Sequence, residues 1–574
     1  MFRRDASPLP AARASTSPLP AARAGTPLSA ARASTPLPAA RARLLIVLLL
    51  TALVAAGCGG GGGGGGGTAD EEPPEPRANA QDLRVAVGDD PFLAGNPANL
   101  DIGIRTNGPN PGIFEPLTRL SPTFGVEAAL ALRWESPSPK VWRFFLRRDV
   151  TFHNGAPFNA EAVVSTLDGI ARRATHPRGL DPGTARATAD DVVEINLTAD
   201  NTRLPEQLAS PSMAVIAPGT RPGGGDTPET TPTGTGPFVF VSYSKGAELK
   251  MKGNEKYWAG PTELRSLTFR FGPERDVSRL LATRQVEIAG MVGYKNLASV
   301  SGRTDRNVQS RPGQAAYLLL NTGGINEWTT LKDDSLRKAL AQTIDRNEFT
   351  KAAYEGHGED SDTLIPEVVL GTDAADRIHP PPLNRNEAKK TLDGAGWLPT
   401  LPNGMRAKDG KPLVLNLLLS RPSDQDKAAE ALKAQLADVG VGLQVQDPGS
   451  DTPFTLVNNA TFDLFLDVRP QDDANPCALC RFFTIRPGGQ LSFSASVGGG
   501  PKVDEAYDRL FSSPSIDTAR RTAADIMQVV TAERVTAISL ASLRTEWLIS
   551  PRVRGFEPAV LAGAQQWESV FLTV

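Results

Sequence analysis

Residues 141–170, VWRFFLRRDVTFHNGAPFNAEAVVSTLDGI, contain the change of period that sets the fold class. Val141 to Leu146 reads as a strand, and beyond Asn159 the spacing lengthens, so that Val163, Leu167 and Ile170 share one helical face. Asn159 is suited to cap that helix, and Glu161 sits in its first turn, where the helix dipole favours an acid. The same alternation recurs on either side. Leu83, Val85 and Val87 alternate as a first strand. A helix is expected from a Ser423 cap through Ala428, Leu432 and Leu436 to a stop at Gly440, after which Leu443 and Val445 restart a strand. Further helices fit Asp333 to Arg346, with Leu336, Leu340 and Ile344 on one face, and Asp517 to Glu533. Strands and helices in alternation are the pattern of α/β architecture.

With 574 residues, 40% hydrophobic and 22% charged, the chain can bury several cores. Setting aside the seven arginines and one aspartate ahead of Cys58 takes the basic and acidic counts from 61 and 64 to 54 and 63, a charge near minus nine. That balance argues against a phosphate-tracking groove, which needs a basic stripe, so no nucleic-acid partner is expected.

The N-terminal segment points to export. Arg41 and Arg43 precede thirteen residues, LLIVLLLTALVAA (44–56), which rise only about 20 Å as a helix against a hydrocarbon core of about 30 Å. That is the length of a signal-peptide core. Val54-Ala55-Ala56-Gly57-Cys58 resembles the bacterial lipobox, with Ala55 where leucine is usual, which implies lipidation of Cys58. Unbroken glycine from Gly59 to Gly67 and the acidic, proline-rich Thr68 to Asn79 then read as a tether of about 24 residues, spanning roughly 25 to 30 Å. SPLPAARA occurs at Ser7 and Ser17, with degenerate copies from Pro27 and Pro36; a repeat of this kind builds no core and reads either as translated intergenic sequence or as a dispensable leader. The expected location is the outer face of the cell membrane.

Motif order then carries a resemblance. Phe114-Glu115-Pro116-Leu117, Trp134, Phe144-Phe145-Leu146-Arg147, Val150 to Gly155 (VTFHNG), Gly234-Thr235-Gly236-Pro237-Phe238 and Asn254 to Gly260 (NEKYWAG) follow one another. Leu320-Asn321-Thr322, Leu336 to Leu340 (LRKAL), Ile344-Asp345-Arg346 and Ala395-Gly396-Trp397 come after them. This series resembles the family 5 extracellular solute-binding proteins, the oligopeptide, dipeptide and nickel binders of ABC importers, across roughly Gln81 to Val574. The resemblance implies a bilobal, periplasmic-binding-protein-like clamp of the cluster C type, with an extra domain on the first lobe and two hinge crossings. With leader and signal at 1–57 and tether at 58–80 from the N-terminal reading, it implies lobe I at 81–113, 234–320 and 543–574, the extra domain at 114–233 and lobe II at 321–542. The crossings are expected near Asn321 and Leu543. Implied partners are a peptide-like solute, a permease and its ATPase, and the membrane through the lipid, with the protein acting as a monomer and needing no cofactor or metal.

The candidate ligand contacts fall mainly in Phe465 to Phe483, FLDVRPQDDANPCALCRFF. In peptide-binding members an aspartate four residues before a proline receives the solute's α-ammonium; Asp472 stands four before Pro476, and Asp473 takes the role if the loop shifts by one. A desolvated carboxylate needs such a partner. Arg469 stands where the family often has tryptophan, and its planar guanidinium suits a carboxylate or phosphonate. Asn110 and Asn321 complete the candidate set. Cys477 and Cys480 are expected to form a small disulfide or to remain two inert thiols, since no thioredoxin-like context surrounds them.

Enzyme signatures are incomplete. Ser335-Leu336-Arg337-Lys338 and Ser242-Tyr243-Ser244-Lys245 match S-x-x-K, but no S-D-N or K-T-G accompanies them, and no P-loop, G-x-S-x-G or H-E-x-x-H occurs. The expected function is therefore binding without catalysis. Delivery of a peptide or peptide-like solute to an importer leads; an extracellular sensor on the same fold, or a binder of a carboxylated, phosphonated or nickel-chelate solute, stands behind it.

Overall fold

The computed structural model describes residues 77–574 except 88–89, 91–109, 122–124, 174–175, 220–230, 273, 291–305, 310–311, 324–327, 329, 423–424, 450, 471–474, 485–496 and 560–564. The expected lipidation site Cys58, the candidates Asp472 and Asp473, and the Ser423 cap lie outside the described residues.

A seven-stranded sheet forms lobe I, in the order 306–309, 546–549, 288–290, 82–86, 266–270, 248–253, 238–244. Asp82–Ala86 runs parallel to both Ser266–Arg270 and Ile288–Gly290, with Leu83 and Val85 fully buried, as their alternation requires. Lobe II is a six-stranded sheet ordered 358–360, 537–543, 314–320, 464–470, 414–419, 442–445. Its strand Gln314–Leu320 is apolar along nearly its whole length because both faces are covered. Ala315, Tyr317 and Leu319 enter one core, while Ala316, Leu318 and Leu320 enter the other.

The extra domain has a four-stranded sheet, ordered 131–138, 141–146, 192–196, 185–189, under helix Ala160–Ala171. Val163, Leu167 and Ile170 face the sheet and share a core with Phe144, Leu146, Val193 and Ile195. Asn159 caps the helix as expected, its side chain accepting from the Ala162 N–H at 3.0 Å.

Three helix boundaries differ from the sequence reading, each through a local hydrogen bond. The stretch from Asp333 to Arg346 is broken after Thr343: Ile344 is extended, and the Asp345 side chain takes the Glu348 N–H at 2.9 Å to start a second helix, Arg346–Tyr354. The helix expected from Ser423 begins at Asp426, where Gln425, at the cap position, turns its side chain back to the Arg421 N–H at 2.9 Å. The helix expected over Asp517 to Glu533 runs as Ile516–Gln528, capped by Ser515, and ends in a π turn at Val529–Glu533.

The chain passes from lobe I to lobe II between Gln309 and Gln314, and returns between Leu543 and Glu546. The first passage lies ahead of the expected crossing near Asn321, which follows the far end of strand Gln314–Leu320; the second adjoins Leu543. Gly313 N–H donates to the Leu543 carbonyl at 3.0 Å and Gln314 Nε2 to Thr545 Oγ1 at 3.1 Å, so the passages run bonded side by side.

Candidate functional site

Motifs scattered through the first half of the sequence meet at one carboxyl group. Glu115 is buried between lobe I and the extra domain, and accepts from Thr235 Oγ1 at 2.7 Å, Tyr257 OH at 2.8 Å and Trp258 Nε1 at 3.1 Å. Burial pushes its carboxyl up to about 7, and the three donors only partly offset that. Arg147 lies over the Trp258 ring at 3.8 Å and donates through Nε to the Ala129 carbonyl at 2.7 Å. The His153 ring stands 3.0 Å from the Gly236 carbonyl, and Asn254 Nδ2 donates to the same oxygen at 3.0 Å. Gly234 and Gly236 are needed there because a Cβ would lie 2.0 and 2.2 Å from the carbonyl oxygens of Ile113 and Gly112. FEPL, FFLR, FHNG, GTGPF and NEKYWAG thus fasten the extra domain to lobe I.

A second cluster lies at the edge of the lobe II sheet beside the crossings. Ligands of open α/β sheets bind beyond the carboxyl ends of parallel strands, and in lobe II those ends are Val445, Leu419 and Pro470, the last paired with Gln314 beside the crossing. Asp467 sits one pleat inside that edge, nearly fully buried, and accepts from Tyr317 OH at 3.0 Å and Arg469 Nε at 3.1 Å. The Arg469 guanidinium lies 5.0 Å from the Phe482 ring centroid, and Arg481 lies 5.1 Å from the same ring. Cys477 and Cys480 are both fully buried with Cα atoms 5.1 Å apart, a separation a disulfide can span. Around the crossing, His357 Nδ1 stands 3.3 Å from Glu546 Oε1, and Arg544 pairs with Glu359.

The residues singled out in the sequence fall in three places. Arg469 belongs to the edge just described, and Asp472 and Asp473, outside the described residues, lie in sequence between it and Asn475, whose Oδ1 accepts from the Cys477 N–H at 3.1 Å. Asn321 lies at the opposite end of strand Gln314–Leu320, about 20 Å away at the usual rise per residue. It is buried, and its amide donates to the Ala460 and Phe462 carbonyls, both at 2.9 Å. Asn110 lines a cavity of about 70 Å³ with Glu115, Arg119 and Trp567. Its Oδ1 accepts from the Gly112 N–H at 3.0 Å, and its carbonyl from Trp567 Nε1 at 2.7 Å. The sequence reading passed over Asp467, Tyr317 and Phe482. An acid inside the apolar run FLD was the available signal for Asp467; nothing local marked Tyr317, which reaches it through strand register.

The profile of bacterial extracellular solute-binding proteins, family 5 (middle), matches residues 125–486. The nickel-binding periplasmic protein of Escherichia coli is 27% identical over 358 residues, covering 58% of this chain and 65% of that protein, so the chain spans just under two thirds of that relative's length. The oligopeptide-binding protein of Mycobacterium tuberculosis is 26% identical over 431 residues, 73% of this chain and 69% of that one. Among solved structures, NikZ from Campylobacter jejuni in complex with Ni(L-His) gives a TM-score of 0.71 at 18% identity, covering 86% of this chain and 100% of that chain. AppA from Bacillus subtilis in complex with a nonapeptide gives 0.69 at 18%, with coverages of 86% and 100%. At such identities the likeness carries the fold, a bilobal α/β clamp.

Proposed function

The chain belongs to the bacterial extracellular solute-binding proteins of family 5, and from that premise we propose that it captures a peptide or peptide-like small molecule between its lobes and delivers it to an ABC permease. The observation that supports this most is the pair of crossings: two mixed sheets joined by the chain between Gln309 and Gln314 and between Leu543 and Glu546, with the polar Arg469–Asp467–Tyr317 set at the lobe II edge beside them. A clamp closes when a ligand touches both halves, because the extra contacts exist only in the closed state. Asp472, or Asp473, is the proposed acceptor for a solute ammonium. Arg469, steadied by Asp467 and Phe482, is the proposed partner for a solute anion. Asn110 is proposed to shape the wall of the cavity it shares with Glu115 and Trp567; Asn321, at the far end of its strand from the Arg469 edge with its amide held by the Ala460 and Phe462 carbonyls, serves the core and not the solute.

Cys58 is proposed to carry the lipid, and Cys477 with Cys480 a disulfide. Intact-mass spectrometry tests both: the native N-terminus should be an acylated Cys58, and reduction should add the mass of two hydrogens. No catalysis is proposed, and a nitrocefin assay should give no turnover. The solute is read by native mass spectrometry of protein purified from its own host. A co-purifying peptide supports the proposal, whereas a nickel isotope pattern would favour a chelate, the reading suggested by the Escherichia coli relative.

A further inference from the structure

The extra domain grips lobe II as well as lobe I. Lobe II helix Pro501–Phe511 ends against it, with the surplus carbonyls that any helix leaves at its carboxyl end. Ser512 and Ser513 turn back to the Arg509 and Leu510 carbonyls at 3.2 and 3.3 Å, and the Phe511 carbonyl is taken from outside the lobe. Thr202 of the extra domain takes it, with its N–H 2.7 Å and its hydroxyl 3.0 Å from that oxygen; the hydroxyl also lies 2.8 Å from the Ser513 carbonyl. Arg178 stands beside it, Nη1 2.6 Å from Asp508 Oδ1 in the helix's last turn and the guanidinium 5.4 Å from the Phe511 ring centroid. A cation near the carbonyl end of a helix is electrostatically favoured.

These donors are held in place from behind. Asn201 is fully buried, and its Nδ2 donates to the Arg178 carbonyl at 3.0 Å while its Oδ1 accepts from the Arg203 N–H at 3.1 Å, which fixes the backbone on both sides of Thr202. Leu120 and Ala209 of the extra domain enter the same apolar cluster as Phe511 of lobe II. The chain crosses between the lobes elsewhere, after Gln309 and before Gln314 and again between Leu543 and Glu546, and Glu115 ties the extra domain to lobe I. Rotation of lobe II away from lobe I therefore has to pull Phe511 and Asp508 off Thr202 and Arg178.

We infer that Thr202 and Arg178 form a latch that caps a lobe II helix across the cleft and holds the clamp shut independently of the solute. The latch rests on the clamp fold and on no particular ligand. Its residues are positioning residues for closure, set apart from the Arg469 edge. The loss of one such bond is expected to shift the closed-to-open ratio about two- to tenfold, the range of a single net hydrogen bond or partly exposed ion pair.

Small-angle scattering of the full chain, freed of solute by unfolding and refolding, tests it. Arg178→Glu and Asp508→Arg should each raise the radius of gyration, and Arg178→Glu combined with Asp508→Arg should bring it back. Thr202→Val should expand the molecule without altering its circular dichroism. Rescue in the double variant separates a latch from a folding defect, since two folding defects would add. Single variants whose curves superpose on the wild type, or a double variant as expanded as either single, would overturn the latch.

Discussion

At the scale of single residues, Glu115 explains why so many separate motifs occur together: one buried acid organises a hydroxyl, a phenol and an indole from two distant segments. Its carboxyl is raised from 4.5 to about 7, so the folded state favours the neutral form. The linked stability is full below about pH 4.5 and falls as pH climbs through 7, by up to about 3 kcal/mol. Glu115→Gln cannot ionise, so its stability should gain on the wild type between pH 5 and 8, as read by thermal melts across that range; a constant difference would mean that Glu115 does not titrate there. Asp472 is argued from its place four residues before Pro476. Asp472→Ala is expected to weaken calorimetric affinity for a cationic solute at least tenfold, about 1.4 kcal/mol, and an unchanged titration removes it from the site.

At the scale of elements, the outer face of the extra domain's sheet carries one row of alternating charge. Glu135 lies opposite Arg143, Arg143 opposite Glu194, and Glu194 opposite Arg186, so strand register alone sets the pairs side by side. Arg143 first, then Arg186, holds the Glu194 carboxyl down at about 2. Here the sign is opposite to that of Glu115: the contribution is present above about pH 4.5 and lost as pH falls through 2. Glu194→Gln should cost about 1 kcal/mol at pH 7, discounted for the solvent around the arginines, with the deficit shrinking below pH 4 in urea titrations. Arg337 shows the complementary case of a motif residue given to structure, since its guanidinium donates to the Leu331, Lys332, Arg534 and Val535 carbonyls at 2.8 to 3.1 Å.

At the scale of the whole molecule, two crossings join the lobes and the extra domain touches both, so under the proposed function ligand binding, closure and stability are linked. Once the solute is identified, a hundredfold excess over Kd should raise the unfolding free energy by about 2.7 kcal/mol and lower the radius of gyration; stabilisation without compaction would contradict closure. Periods and caps made the α/β class readable at Val141–Ile170, where an alternating strand and an Asn159-capped helix depend only on near neighbours. Order of motifs likewise gave the family, and the residues FLDVRP gave one edge of the candidate site. Sequence alone did not give the break at Ile344, the crossing between Gln309 and Gln314, the Tyr317–Asp467 pair or the Thr202–Phe511 contact. Side-chain spacing along a chain is a local property fixed by backbone geometry, but each of these depends on which strand or helix end arrives opposite, and only burial of all the cores together decides that.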